Sequence, residues 1–247
     1  MAMKTLVQLG ALLRKDGKLV WRDRLVNRMI LLPLGYALAF HFILPWADEA
    51  LAAYFDLSEY YVLIIGYVFV ASTPLLAGMA LGFLYLDDRD AHTFDALCAT
   101  PFNQHLYFAQ RDGAAMVLSF LLTLACLAIV QWGTNSSPWL VICAALASLN
   151  APVFGLFLAC MGQNKIQGIA LMKITGTLTL LAGAGYFVPL PWQWIAGVIP
   201  VFWCMKLYWL IVEANAAPLA VQAIALFYPL AVYAGLRRLF AHRWIGT

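Results

Sequence analysis

Six stretches of this chain are almost wholly apolar over about 18–25 residues, the length of helix that a bilayer's hydrocarbon core demands. They fall near Met29–Trp46, Tyr60–Tyr85, Gly113–Val130, Pro138–Met161, Ile169–Phe187 and Ala217–Leu236. Inside lipid each backbone N–H and C=O must be satisfied within the segment, so stretches of this length cross as helices. With 64% hydrophobic and 11% charged residues in 247, the chain lacks the polar surface for a sizeable water-soluble domain as well. The sequence therefore predicts an all-α integral membrane protein, one transmembrane domain over residues 1–247.

Lysine and arginine set the expected orientation. Lys4, Arg14, Lys15, Lys18, Arg22, Arg24 and Arg28 precede the first span, and Arg237, Arg238 and Arg243 follow the last. Arg89 and Arg111 lie in the second connection, Lys165 in the fourth, and Lys173 just inside the fifth span. The opposite side has only Lys206, and its first loop has Asp48, Glu49, Asp56 and Glu59. Both termini are thus expected in the cytoplasm, and the protein in the cell's inner membrane. The N-terminal segment is too charged, and too long before the first span, to read as a cleaved signal peptide.

Two segments outside the spans carry pattern. In 1–28, Leu6, Leu9, Leu12 and Leu13 recur at helical spacing with basic residues between them, which predicts a helix lying along the membrane surface. Residues 188–216 are apolar and aromatic but broken by Pro189, Pro191 and Pro200. Short helices dipping into the outer leaflet and back fit this pattern, and such backbone survives at membrane depth only when packed on protein. Spans one and two then occupy 29–85, spans three to five 113–187, and the last span with its tail 217–247.

The connection at 86–112 is far longer than two helices need. Its spacing predicts a short amphipathic helix, with Ala91, Phe94, Leu97 and Cys98 on one face and Asp88, His92 and Asp95 on another. Thr100-Pro101 ends it, since proline disfavours helical geometry at the residue before it, and Asn103 can cap the next helix. A charged, structured helix on one membrane face is a docking surface for a soluble partner. Phe94 and Leu97 would be its apolar anchors, with Asp88, Asp90 and Asp95 at an exposed rim.

Several chemistries lack their residues. No GxxxxGK[ST] phosphate loop, HExxH or GxSxG occurs. The five cysteines form no CxxC pair, and a net charge of +3 does not suggest nucleic acid. No carboxylate lies within the six apolar windows, which disfavours an ion-coupled carrier. Three polar residues within the windows are pathway candidates: His41, Asn150 and Lys173, the histidine expected to hydrogen-bond inside the bundle and the lysine to reach the interface. Pro33, Pro74 and Pro152 could kink their spans, and Gly78 and Gly82 permit close helix approach.

The 86–112 connection resembles the first cytoplasmic loop of ABC type-2 transporter permeases, the membrane subunits of ABC exporters. Asp88-Arg89-Asp90, Thr93, Leu97, Thr100-Pro101 and Phe102 stand at matching positions; His92 replaces a common glycine and Asn103 a common serine. Asn164-Lys165-Ile166-Gln167-Gly168 through Lys173, then Tyr186-Phe187-Val188-Pro189 and Pro191-Trp192-Gln193-Trp194, resemble permeases of drug or fluoroquinolone exporters. The resemblance implies the type V exporter fold: an interfacial helix, six spans, a cytoplasmic coupling helix and broken outer helices. It also implies a second permease subunit, identical or paralogous, and a separate ATP-binding subunit that holds ATP and Mg. The coupling residues would be Asp88, Asp90, Phe94, Asp95, Leu97, Thr100 and Pro101, and this chain would carry no cofactor and no catalytic residue.

The function expected is therefore an ATP-driven export permease for an amphipathic substrate such as a drug, lipid or peptide, embedded among membrane lipids. The alternatives are an ATP-independent carrier or intramembrane lipid enzyme, and a non-transporting sensor that docks an ATPase. The orientation is open to a direct check. In intact cells a membrane-impermeant maleimide should leave Cys98 unlabelled and reach it only after permeabilisation; labelling in intact cells would invert the topology.

Overall fold

The computed structural model describes residue 10 and residues 14–93, 104–130 and 138–244. Six of its helices are long and apolar enough to cross a membrane, and no strand occurs among the described residues. A short helix α1 (14–22) precedes the first span, α2 (Arg24–Leu51). The second span, α3 (Ser58–Asp90), opens on a 3-10 turn and is π-wound over Gly66–Ala71. The third is α4 (Gln104–Val130). The fourth is split into α5 (Pro138–Ser148) and α6 (Asn150–Met161). The fifth is α7 (Lys165–Gly183), prolonged by a 3-10 turn to Phe187. Two shorter helices, α8 (Gln193–Ala196) and α9 (Phe202–Ala214), lead to the sixth, α10 (Leu219–Trp244).

The local reasons are readable residue by residue. Asp23 breaks the chain between α1 and α2: its backbone is extended, and its carboxylate accepts the N–H groups of Leu25 (2.8 Å) and Val26 (3.3 Å). Lys165 Nζ stands 2.8 Å from Asp23 and 2.8 Å from Asp87, so one ammonium joins the start of the first span, the end of the second and the start of the fifth. Burial pushes the Asp23 carboxyl up, but hydrogen bonds from Lys165, Val26 and Leu25 outweigh it and hold it below its ordinary value. The fourth span breaks at Leu149 because Pro152 has no N–H to offer the Ser148 carbonyl one turn back.

The core is the pairing of α3 with α6, and the second and fourth spans are the most buried of the six. Their backbones approach through glycine. A Cβ on Gly82 would lie 2.7 Å from Leu158 Cδ2 and 2.9 Å from the Gly155 carbonyl, and one on Gly78 would strike the Ala151 carbonyl. Nearer the other end, α9 is buried along Phe202, Trp203, Cys204, Met205, Leu207, Tyr208, Trp209 and Ile211. It presses Trp209 Nε1 to within 2.8 Å of where a Cβ on Gly66 would stand, at the first residue of the π-wound segment. The second half of the broken aromatic stretch is thus packed on protein, while Leu190, Trp192, Trp194, Ile195 and Val198 in its first half are exposed. Asn215, at φ 47°, ends α9.

Two expectations for the connection change. Leu86–Asp90 prolongs α3 and Gln104–Asp112 belongs to α4, so both ends of 86–112 are extensions of spans. Ala91 and His92 form a turn rather than part of an amphipathic helix, with His92 left-handed at φ 51°. Helical hydrogen bonding carries α3 past its last apolar residue because Asp88 has a buried partner, described below.

The glycine contact makes a quantitative forecast. Gly82→Leu should cost about 1–3 kcal/mol through overpacking, seen as earlier thermal unfolding of the purified chain in detergent. Gly235→Ala, which meets nothing within 4 Å, should unfold at or above the wild-type temperature.

Candidate functional site

The ends of α3 and α4 that flank the 86–112 connection meet in a buried ionic network. Arg111 is only 2% exposed. Its guanidinium donates to Asp16 of α1 through Nε (3.1 Å) and a terminal nitrogen (2.8 Å), and pairs with Asp88 of α3 through the other. It lies over the rings of Tyr107 (4.7 Å) and Tyr85 (5.6 Å). Tyr107 donates its hydroxyl to Asp88, and Lys15 approaches the same carboxylate at 3.8 Å. One side chain thus fastens α1, the last turn of the second span and the first turns of the third.

The second half of the site is aromatic and acidic. Asp112, 3% exposed, accepts hydrogen bonds from Tyr85 (2.7 Å) and Tyr233 (2.7 Å). The Tyr85, Phe108 and Phe240 rings pack on one another at 5.2–5.9 Å. Arg237 of α10 lays its guanidinium 3.9 Å from the Phe108 centroid. The sixth span joins the network here. Beside it a cavity of about 340 Å³ opens between α1, α2, α3 and α4. Arg111 and Asp16 form one wall, while Ile30, Ala80, Leu84 and Leu118 contribute apolar surface. The cavity is chemically two-sided. Among the described residues no group of three His, Cys, Asp or Glu side chains is placed to hold a metal ion.

The neighbouring connection is tied to the same end. Arg89 donates to the carbonyls of Gly162 (3.0 Å) and Gln163, in the turn between the fourth and fifth spans. Arg243 of α10 donates to the Cys160 carbonyl at 2.6 Å.

Asp88 departs from its expected place. It is 4% exposed and engaged by Arg111 and Tyr107, not at a solvated rim, because leaving the Arg111 charge unpaired in the interior would cost far more than burying Asp88 beside it. Asp90 is exposed, 3.8 Å from Arg89. Phe94, Asp95, Leu97, Thr100 and Pro101 lie outside the described residues, as do Cys98 and Asn103. The three pathway candidates are not brought together. His41 is exposed on α2, its ring edge-on to Phe42 at 5.0 Å, rather than bonded inside the bundle, because the buried face of that helix runs along Val26, Met29, Pro33, Ala37 and Leu44. Lys173 is exposed on α7. Asn150 is buried where α6 starts, with Nδ2 3.2 Å from the Ala147 carbonyl and 3.5 Å from Cys204 Sγ.

Sequence reasoning passed over Arg111, Tyr107, Asp112 and Asp16 as site residues. The signal was present as spacing: Tyr107 with Arg111 and Phe108 with Asp112 stand four apart on one helix, where side chains meet. The network sets an order of stabilities. Arg111→Met should lose about 3–5 kcal/mol, because Asp88 is left buried without its cation, whereas Arg111→Met with Asp88→Asn should regain at least half of that. Thermal unfolding of the purified variants gives the comparison; equal losses would show that Asp88 is not the partner that matters.

With this geometry in place, the chain compares closely with known proteins. The family described as fluoroquinolones export permease protein Rv2686c-like matches residues 16–237, which takes in Asp16, Asp88, Arg111, Asp112 and Arg237. The fluoroquinolones export permease proteins MT2760 and Rv2686c, of Mycobacterium tuberculosis strains CDC 1551 / Oshkosh and ATCC 25618 / H37Rv, are each 32% identical over 207 residues, covering 81% of this chain and 81% of the relative. No solved structure matches. A multi-pass bundle of six spans, matched over nearly all its length, places the chain in the Rv2686c-like fluoroquinolones export permease family.

Proposed function

We propose that this chain is the permease subunit of an ATP-driven exporter, with hydrolysis on a separate ATP-binding chain that carries ATP and Mg. The observation that carries this reading is the fastening of the two ends of the 86–112 connection to one another and to α1 through Arg111. A push that reaches those two ends acts on α3, α4 and α1 together. It moves the second and third spans as one lever and takes the interfacial helix with it. In this reading Phe94 and Leu97 are the anchors for the ATP-binding subunit, and Asp90, Asp95, Thr100 and Pro101 are the other coupling residues of the same connection. Asp88 serves the lever from inside.

The substrate class is amphipathic. The two-sided cavity beside Arg111 suits a molecule with an aromatic body and a charged end, and the relatives' names point to fluoroquinolones. His41 and Lys173, on the outside of the single chain, suit a path formed against a second permease subunit, of this chain or a paralogue. Asn150, sealed in the core, does not. The lysine and arginine asymmetry supports a cytoplasmic side for both termini, and an inner-membrane location goes with this reading.

The test is reconstitution of the chain with its co-expressed ATP-binding subunit in proteoliposomes. ATP should drive uptake of a fluoroquinolone into inside-out vesicles. Phe94→Ala with Leu97→Ala should leave a folded permease that loses the ATP-binding subunit or hydrolyses ATP without transport, since each anchor buries about 1.5–3 kcal/mol of apolar side chain. Full transport and full retention of the ATPase in that variant, or saturable ATP binding by the permease alone, would refute the reading.

A further inference from the structure

The outer face of α1 is a basic surface of which the ionic network uses only Lys15. Arg14, Lys15, Lys18 and Arg22 wall a crevice of about 640 Å³, and Leu19 contributes its apolar surface. Arg14, Lys18 and Arg22 stand four residues apart, so their side chains lie along one helix face. Like charges at that spacing work against a helix. Nothing in the described chain offsets them. Asp16 is engaged by Arg111 and Asp23 by Lys165, and Arg14, Lys18 and Arg22 form no ion pair among the described residues.

Two further observations say what offsets them. Trp21, 74% exposed, stands beside this face, and an indole among basic residues is the composition of a segment at a membrane interface. After Asp23 the chain continues as α2, the first membrane span, so α1 lies where the bilayer's headgroups begin. We propose that the crevice binds the headgroup phosphate of an anionic phospholipid, with Arg14, Lys18 and Arg22 as its ligands and Leu19 and Trp21 against the glycerol and upper acyl region. The site has a mechanical consequence. Asp16, on the same helix, holds Arg111, so a lipid that fixes the depth of α1 also fixes the anchor of the network.

The experiment needs only the full purified chain. It is titrated in neutral detergent with phosphatidylglycerol and with phosphatidylcholine of the same acyl chains, and bound lipids are counted by native mass spectrometry. Phosphatidylglycerol should bind in preference. The variant Arg14→Gln/Lys18→Gln/Arg22→Gln should weaken that binding on the order of a hundredfold, at roughly fivefold per charge, and leave phosphatidylcholine binding unchanged. Lys18→Gln alone, at roughly fivefold, serves if the triple variant does not fold. Arg238→Gln, which removes an exposed charge on α10, should have no effect. Equal binding of the two lipids, equal loss in Arg238→Gln, or displacement by inorganic phosphate at the lipid's own concentration would overturn the proposal. So would undiminished phosphatidylglycerol binding by the triple variant, which would hand the basic face to an acidic soluble protein instead.

Discussion

A guanidinium cannot be left alone in the interior of a membrane protein, and most of one end of this molecule follows from that constraint. Taking Arg111 out of water costs several kcal/mol, recovered only through close, well-oriented carboxylates. Asp16 and Asp88 provide them, from helices far apart in sequence. Tyr107 and Tyr85 cover the remaining surface of the ion. Once Arg111 is satisfied, α1 has a fixed seat, α3 must continue one turn beyond its apolar stretch, and α4 must begin well before its own. The geometry of the connection is a by-product of solvating one charge with protein.

Lys165 repeats the device with softer materials. Its ammonium is partly exposed and shared between Asp23 and Asp87, so it joins three spans without the same desolvation cost. Arg89 and Arg243 reach backbone carbonyls around the fourth-to-fifth turn. Arg111, Lys165, Arg89 and Arg243 therefore differ in kind. One is sealed and structural, one is a shared surface clamp, and two satisfy carbonyls that helix ends leave open. For an exporter this is a sensible gradation, because the sealed contact moves as a unit while the exposed ones can exchange partners.

Much of the architecture was legible in the sequence, since length and apolarity alone decide where a chain can cross a bilayer. The fourth span's ends, Pro138 and Met161, coincide with its apolar window. The glycine pair at 78 and 82 allowed the close helix approach that α3 and α6 make, and the second half of the proline-broken aromatic stretch is packed on protein. The site was legible only in its location. Periodicity put Asp88 on a solvated face because an apolar window ends where charges start, whereas hydrogen-bonded helix does not. Only long-range contact shows that Asp88 has Arg111 as a neighbour and that Asp16, some seventy residues earlier in the chain, completes the set. His41 was misjudged for the related reason that hydrophobicity locates a span but not which side of it faces protein.

The opposite end of the bundle is held by different forces. There α9 is seated by aromatic edges, with Trp209 against Phe202 at 5.9 Å and against Tyr186 at 5.1 Å. Its base, Lys206, rests on Gln193 at 2.7 Å with its pKa lowered by burial. Dispersion and apolar contact respond weakly to ionic strength, whereas exposed ion pairs are screened within about a nanometre at physiological salt. The two closures of the molecule therefore answer to different solvents. Salt can weaken the exposed pairs around Lys165 while the aromatic end stays packed, and an apolar solute can work the aromatic end without disturbing the charges.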